Sequence, residues 1–343
     1  MGNVRNIVNG LKPALFMIMV QTTFAVVNVF YKLAAEDGMN LSVLIAYRFI
    51  FAAAFMLPLA FFVERNKRTR LTWTVIFQAF LCGLFGGSLA QNMYLQGLAL
   101  TSATFATATM NLIPAMTFVL AIIFRLEKLD WDKASGKAKV IGTNLGVTGA
   151  MLLTFYKGPN VTIWKPSIDL LKNSQDHHSG SVANTYLMQI LGAFLAIFGT
   201  LCNAVWLILQ TKMQQEYPCP YSITALMNVM AAIQATIYAL VMERDWNQWH
   251  LGWNIRLLTT AYSGVIASGF IFTILAWCVK KRGPIFVSAF SPFMLLVVVI
   301  AGFLVLDENL HLGSLFGAVL IVCGLYVVLW GKEKQMNEKI IPK

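Results

Sequence analysis

Polar side chains suited to handling a solute recur at helical spacing inside long apolar stretches of this sequence. In 101–129, TSATFATATMNLIPAMTFVLAIIFRLEKL, the residues Thr104, Thr107 and Asn111 share one helical face (i, i+3, i+7). Gln21 and Asn28, with Lys32, share a face in an earlier stretch. Gln91, Asn92 and Gln96 lie in another, the last two on one face. Further on, Asn203 and Gln210 share a face, with Trp206 beside them, and Ser288 and Ser291 follow. In hydrocarbon each amide needs a partner, which a neighbouring helix or a solute in a polar cavity can supply.

Arg48 is the most informative single residue. It lies about six residues into its stretch, roughly 9 Å at 1.5 Å per residue. A guanidinium at that depth must pair, snorkel or bind. It would anchor a substrate carboxylate. The simpler expectation is a structural pair with Asp37, Asp307 or Glu308, or snorkelling to the headgroups. Among the acids themselves, none of the fifteen lies deep in an apolar stretch. This excludes the simplest small-cation exporter, which binds its cargo at a midplane carboxylate. The stretches also hold no acid–base or metal-ligand set for a membrane enzyme. His177 and His178 sit beside Asp176 in a polar segment and read as solvated loop, not as a metal site. No catalytic residue, cofactor or metal is expected.

The elements that position these residues follow from composition. The chain has 343 residues, 58% of them hydrophobic and 12% charged, against about 25% charged in a soluble domain. This is an integral membrane protein. Ten apolar spans are expected: 13–33, 42–63, 74–98, 102–125, 138–156, 184–211, 221–242, 256–279, 283–306 and 311–331. The first follows a short polar start with no small-residue cleavage site, so it reads as a retained anchor. The net charge of +11 sits in the connecting segments, where it reads as topology and lipid contact rather than nucleic-acid binding. The five cysteines form no CxxC pair.

Lys and Arg counts set the orientation. With the N-terminus in the cytosol, 19 of the 26 fall in cytosolic segments, so both termini are expected there. Asn40-Leu41-Ser42 and Asn160-Val161-Thr162 then fall on the other side, where glycosylation occurs.

The chain also repeats itself. A shift of 181 pairs Phe105 with Phe286, Thr107 with Ser288, Glu127 with Glu308 and Gly83 with Gly264. Nearby shifts pair Ser42 with Ser222, Trp73 with Trp253, and Glu64-Arg65 with Glu243-Arg244. Five spans per half is an odd number, so the second half must enter the membrane inverted. The expected architecture is all-α, with repeats at 13–156 and 184–331, a loop at 157–183 and a tail at 332–343. Inverted repeats are a transporter architecture, with the substrate at the midplane between the halves. A receptor or scaffold has no need of them, and stands as the alternative of another class. By the 181 shift, Asn111 faces Pro292 and Gln96 faces Trp277. The polar side of the cavity would come from the first half, with Trp277 as an aromatic wall. Pro114 and Pro292 would kink the fourth and ninth spans and serve as hinges. Gly83/Gly87, Gly142/Gly146 and Gly313/Gly317 read as close helix packing. The last pair suits a homodimer interface as well as an internal one.

Several of these stretches carry a family resemblance. GMNLSVLIAYRF (38–49), the 101–129 segment, GAMLLTFYKGP (149–159) and LHLGSLFGAVLIVCGLYVVLWGK (310–332) resemble the plant EamA-type transporters. These are also called nodulin-21-like, walls-are-thin-related or UMAMIT proteins, of the drug/metabolite transporter superfamily. The resemblance implies ten helices in two EamA repeats and a plasma or vacuolar membrane. It implies amino-acid transport, with export of auxin or another small carboxylate as the alternative. It also implies that spans one, three and four and their copies line the pathway.

Overall fold

The computed structural model describes residues 2–65, 71–101, 109–127, 133–156, 182–305 and 312–340. Among them all regular structure is helical. That is what lipid demands, because a membrane helix satisfies its own backbone. Seven segments are long and apolar enough to cross a bilayer. The others fall where the fourth, fifth and ninth spans are expected.

The first half holds α1 (Gly2–Glu36), α2 (Leu41–Val63) and α3 (Trp73–Cys82). A π-helical stretch, Gly83–Ser88, joins α3 to α4 (Leu89–Leu100). Then come α5 (Ile113–Ile123) and α6 (Ala134–Phe155). The second half repeats this order with α7 (Val182–Glu216), α8 (Pro220–Met242) and α9 (Ile255–Ala261). A second π-helical stretch, Tyr262–Ile271, leads into α10 (Phe272–Arg282). The half ends with α11 (Pro284–Ala289), α12 (Ser291–Val305) and α13 (Leu312–Ile340). Helix α13 thus continues through most of the segment read as a tail.

The inversion is visible in paired contacts. Helices α2 and α8 pack antiparallel, and both bury several alanines, with Ala60 and Ala225 in one apolar cluster. The carboxylate of Glu64, just past α2, accepts the backbone N–H of Tyr221 (3.1 Å) and Ser222 (2.8 Å) and the Ser222 hydroxyl (2.6 Å). It caps α8 as an anion should cap a helix N-terminus. At the other end Glu243, just past α8, accepts from Asn40 Nδ2 at 2.7 Å. Asn40 in turn caps α2 through Ser42 N at 2.8 Å. Both ends of the Asn40 amide are thus hydrogen-bonded, and Asn40 serves as a helix cap. Asn160 lies outside the described residues.

The glycines explain the close approaches. A Cβ on Gly83 would meet the Ala231 backbone at 2.8 Å, and one on Gly264 would meet Phe51 Cβ at 2.7 Å. These are the same contact in the two halves. Between α6 and α13, a Cβ on Gly142 would meet Gly324 O at 2.7 Å, and one on Gly149 would meet Gly317 O at 2.9 Å. The glycine face of α13 is therefore used inside the chain, the internal one of its two expected uses.

Helix α1 packs on α10 and α12, while α7 packs on α3, α4 and α5. Each half lends its first helix to the other. The fourth and ninth spans both break midway. Leu112 (φ −80°, ψ −10°) and Phe290 (φ −81°, ψ −10°) sit at the breaks with almost the same backbone, each two residues before its proline. Neither Pro114 nor Pro292 can donate to the carbonyl four residues back. Aligned on these breaks, Pro114 matches Pro292 and Asn111 matches Ala289, whereas the shift of 181 sets Asn111 against Pro292.

Candidate functional site

The two breaks, the first π-helical stretch and the exchanged helices meet around one central cavity of about 170 Å³. It is smaller than the roughly 300–1,000 Å³ that encloses a drug-sized ligand. Helix α1 lines it with Gln21, Phe24, Asn28 and Tyr31, and α2 with Arg48. Gly86, Gln91 and Tyr94 come from the third span, and Met110, Asn111 and Ile113 from the fourth. The second half adds Asn203, Trp206, Phe272, Ser291 and Met294, with apolar neighbours. Polar groups therefore come mainly from the first half.

Arg48 is 3% exposed. Its Nε donates to Ser268 Oγ at 2.6 Å and its Nη1 to Tyr31 Oη at 2.5 Å. The guanidinium carbon lies 5.4–5.8 Å from the ring centres of Phe49, Phe272 and Tyr31, within cation–π range. No carboxylate among the described residues pairs with it. Asp37 is committed to Arg256 instead, through Nε at 2.6 Å. Snorkelling is excluded by the burial. Asp307 and Glu308 lie outside the described residues. A guanidinium has five N–H donors, and partners among the described residues occupy two of them.

Asn111 sits at the break before α5, 4% exposed, with Nδ2 unpartnered among the described residues. The N-terminus of α5 follows it, so the helix dipole favours negative charge there. Asn28 Nδ2 reaches Met294 Sδ at 3.4 Å, and Asn203 Nδ2 bonds the Gly199 carbonyl at 3.1 Å. The aromatic wall is built from Trp206, Phe272 and Phe24, with ring centres 5.2 Å apart for the first pair and 6.1 Å for the second. Trp206 fits because Gly86 has no side chain, since a Cβ there would run into the indole.

Five expected site residues lie elsewhere. Trp277 packs edge-on against Phe16 at 5.5 Å and is no part of the cavity wall. Gln96 donates to Tyr238 Oη, Asn92 to Ser88 O at 2.8 Å, and Ser288 to Ile285 O at 3.2 Å. Gln210 is buried beyond the cavity. Thr104 and Thr107 lie outside the described residues. The reason Gln91 rather than Asn92 faces in is the π-helical stretch before it. Wider π turns rotate the following helix away from the face that a 3.6-residue period predicts. Sequence reasoning missed Tyr31, Phe24, Tyr94 and Phe272. Two had a signal: Tyr31 continues the Gln21–Asn28 face, and Phe272 is the 181-residue counterpart of Gln91.

Comparison with known proteins agrees with this architecture. The EamA-like transporter family matches the chain twice, over residues 11–155 and 190–330. WAT1-related protein At1g68170 of Arabidopsis thaliana is 43% identical over 96% of this chain and 92% of its own length. WAT1-related protein At1g25270, of the same plant, is 42% identical over 95% and 91%. A solved crystal structure with 15% identity superposes at a TM-score of 0.67, over 93% of this chain and 96% of that one, which speaks for the fold alone. With both halves matched and relatives at this identity over nearly its whole length, the chain belongs to the EamA-like transporter family of membrane transporters.

Proposed function

We propose that this transporter moves small carboxylate-bearing organic solutes, amino acids first among them, by alternating access around the central cavity. The observation that carries the reading is Arg48. It is buried in the cavity wall with donors to spare and no carboxylate among the described residues to neutralise it. Burying such a charge without a counter-ion is costly, and an incoming carboxylate removes that cost. Asn111 and the α5 N-terminus supply a second site for oxygen atoms. Gln21, Asn28, Gln91, Asn203 and Ser291 would hold the remaining polar groups, and Trp206 with Phe272 the apolar body. Pro114 and Pro292 would act as hinges at the two breaks. Among the described residues no acid lines the cavity, so the expected mode is facilitation down a gradient. Both termini lie on the cytosolic face of a plasma or vacuolar membrane in this reading, as the positive-inside bias requires. A second reading, export of an indole carboxylate such as auxin, is favoured by the aromatic wall.

The test is efflux from proteoliposomes loaded with labelled amino acids or with indole acetic acid, with and without a pH gradient. Amino-acid flux without a gradient is expected. Flux of the indole acid alone reverses the ranking. Flux of neither, at verified reconstitution, sinks the proposal, and a strict need for a proton gradient sinks facilitation.

A further inference from the structure

Beyond the cavity, α7 carries a polar stripe toward the lysine-rich end of the bundle. Asn203 and Leu207 line the cavity. Gln210 and Gln214 follow on the same face, 7 and 11 residues after Asn203. They are 1% and 3% exposed, and among the described residues both atoms of each amide lack a hydrogen-bond partner. Across from α7, α5 repeats the pattern. Ile113 lines the cavity, and Thr117, four residues on, is fully buried with its Oγ1 unpartnered. The two helices pack together, with Ala121 and Ile208 in one apolar cluster.

These side chains do not serve as helix glue, because glue requires partners. Other buried threonines here bond their own i−4 carbonyl, as Thr143, Thr200 and Thr211 do. Thr117 does not. Leucine would fill such an interface without the cost of an unpaired polar group. A buried ionic clasp lies past the end of α5. Glu127, just past α5, binds Lys332 of α13 through Oε1 and Lys139 of α6 through Oε2 at 3.4 Å. Lys212 of α7 lies over the Phe124 ring at 4.5 Å, which places the α5 and α7 ends beside each other at this same end.

Resting on the transporter reading above, we infer that Gln210, Gln214 and Thr117 form a second polar station on the translocation path. It is closed in this conformation and receives the solute when the Glu127–Lys139–Lys332 clasp opens. The solute's polar groups then meet the amides that have no protein partner here. The cavity and the station are the two ends of one route, and the clasp is the gate at the lysine-rich end.

The experiment is thiol labelling of Gln214→Cys in liposomes. The five native cysteines, Cys82, Cys202, Cys219, Cys278 and Cys323, are first replaced and solute flux verified. A charged, membrane-impermeant methanethiosulfonate is the probe, read by mass spectrometry. Labelling is expected to be slow with the clasp intact and about tenfold or more faster with Glu127→Gln, since a charge-assisted bond contributes about 1.5–3 kcal/mol to holding the closed state. No acceleration in Glu127→Gln or Glu127→Ala overturns the proposal. Gln210→Leu with Gln214→Leu is expected to lower flux while binding of labelled solute is kept. Unchanged flux in that folded double variant also overturns it. Normal flux in the parent chain with no labelling defeats the station alone, whereas no flux of any solute in the parent defeats the transporter reading beneath it.

Discussion

Arg48 of α2 and Asn228 of α8 come from opposite halves of the chain, on helices that pack antiparallel, and they do opposite things. Both reach for Ser268 in the second π-helical stretch. Arg48 donates to its hydroxyl at 2.6 Å, and Asn228 donates to its carbonyl at 2.9 Å. Arg48 also faces the cavity, while Asn228 is fully buried and does not. The first half carries the charge, and the second steadies the residue that orients it. The duplicated helices supply similar frames, and at the place equivalent to Arg48 the second half carries the uncharged Met227. The same division runs through the cavity, where amides come mainly from the first half and the Trp206–Phe272 wall from the second.

This asymmetry can be broken residue by residue. The largest effect is expected from Arg48→Gln, which should lower uptake of a carboxylate solute by about 10–100-fold, the equivalent of a charged hydrogen bond of about 1.5–3 kcal/mol. Asn228→Leu should retain most of the flux. Equal losses in protein-normalised transport would show that both positions are merely structural. Next in size is the pair of end caps. Glu64→Ala should lower stability by about 1–3 kcal/mol, because it strips a buried cap from α8. Glu243→Ala should cost less than about 1 kcal/mol, because Asn40 still caps α2. Thermal unfolding in detergent compares them, and a reversed order refutes the capping argument. A few-fold change in selectivity is expected from Trp206→Leu, against aromatic and in favour of aliphatic solutes, since aromatic pairs contribute about 0.5–1.5 kcal/mol. Trp277→Leu should leave selectivity alone, and competition uptake with the two solute types reads both. The smallest effect belongs to Gly146→Ala, where an added Cβ meets nothing within 4 Å. Its midpoint should stay within about 0.5 kcal/mol of the parent, whereas Gly142→Ala should show a clear drop.

What was legible in the sequence alone was the class, the helical segments, their inverted duplication and most of the amides around the cavity. These are local properties. Span length follows from bilayer thickness, helicity from the need to close every backbone hydrogen bond in lipid, and inversion from an odd number of spans. Tertiary structure decided the rest. Trp206 rather than Trp277 became the aromatic wall, because Gly86 leaves room for its ring. Gln91 rather than Asn92 faces the cavity, because a π-helical stretch precedes them and resets the face. The rotation of a helix depends on how closely its neighbours approach, and glycine positions far away in sequence set that distance. Arg48 faces the cavity with no carboxylate among the described residues beside it, while Asp37 pairs with Arg256 of another helix. Which charges find each other is a matter of distance in the folded bundle, and spacing along the chain does not contain it.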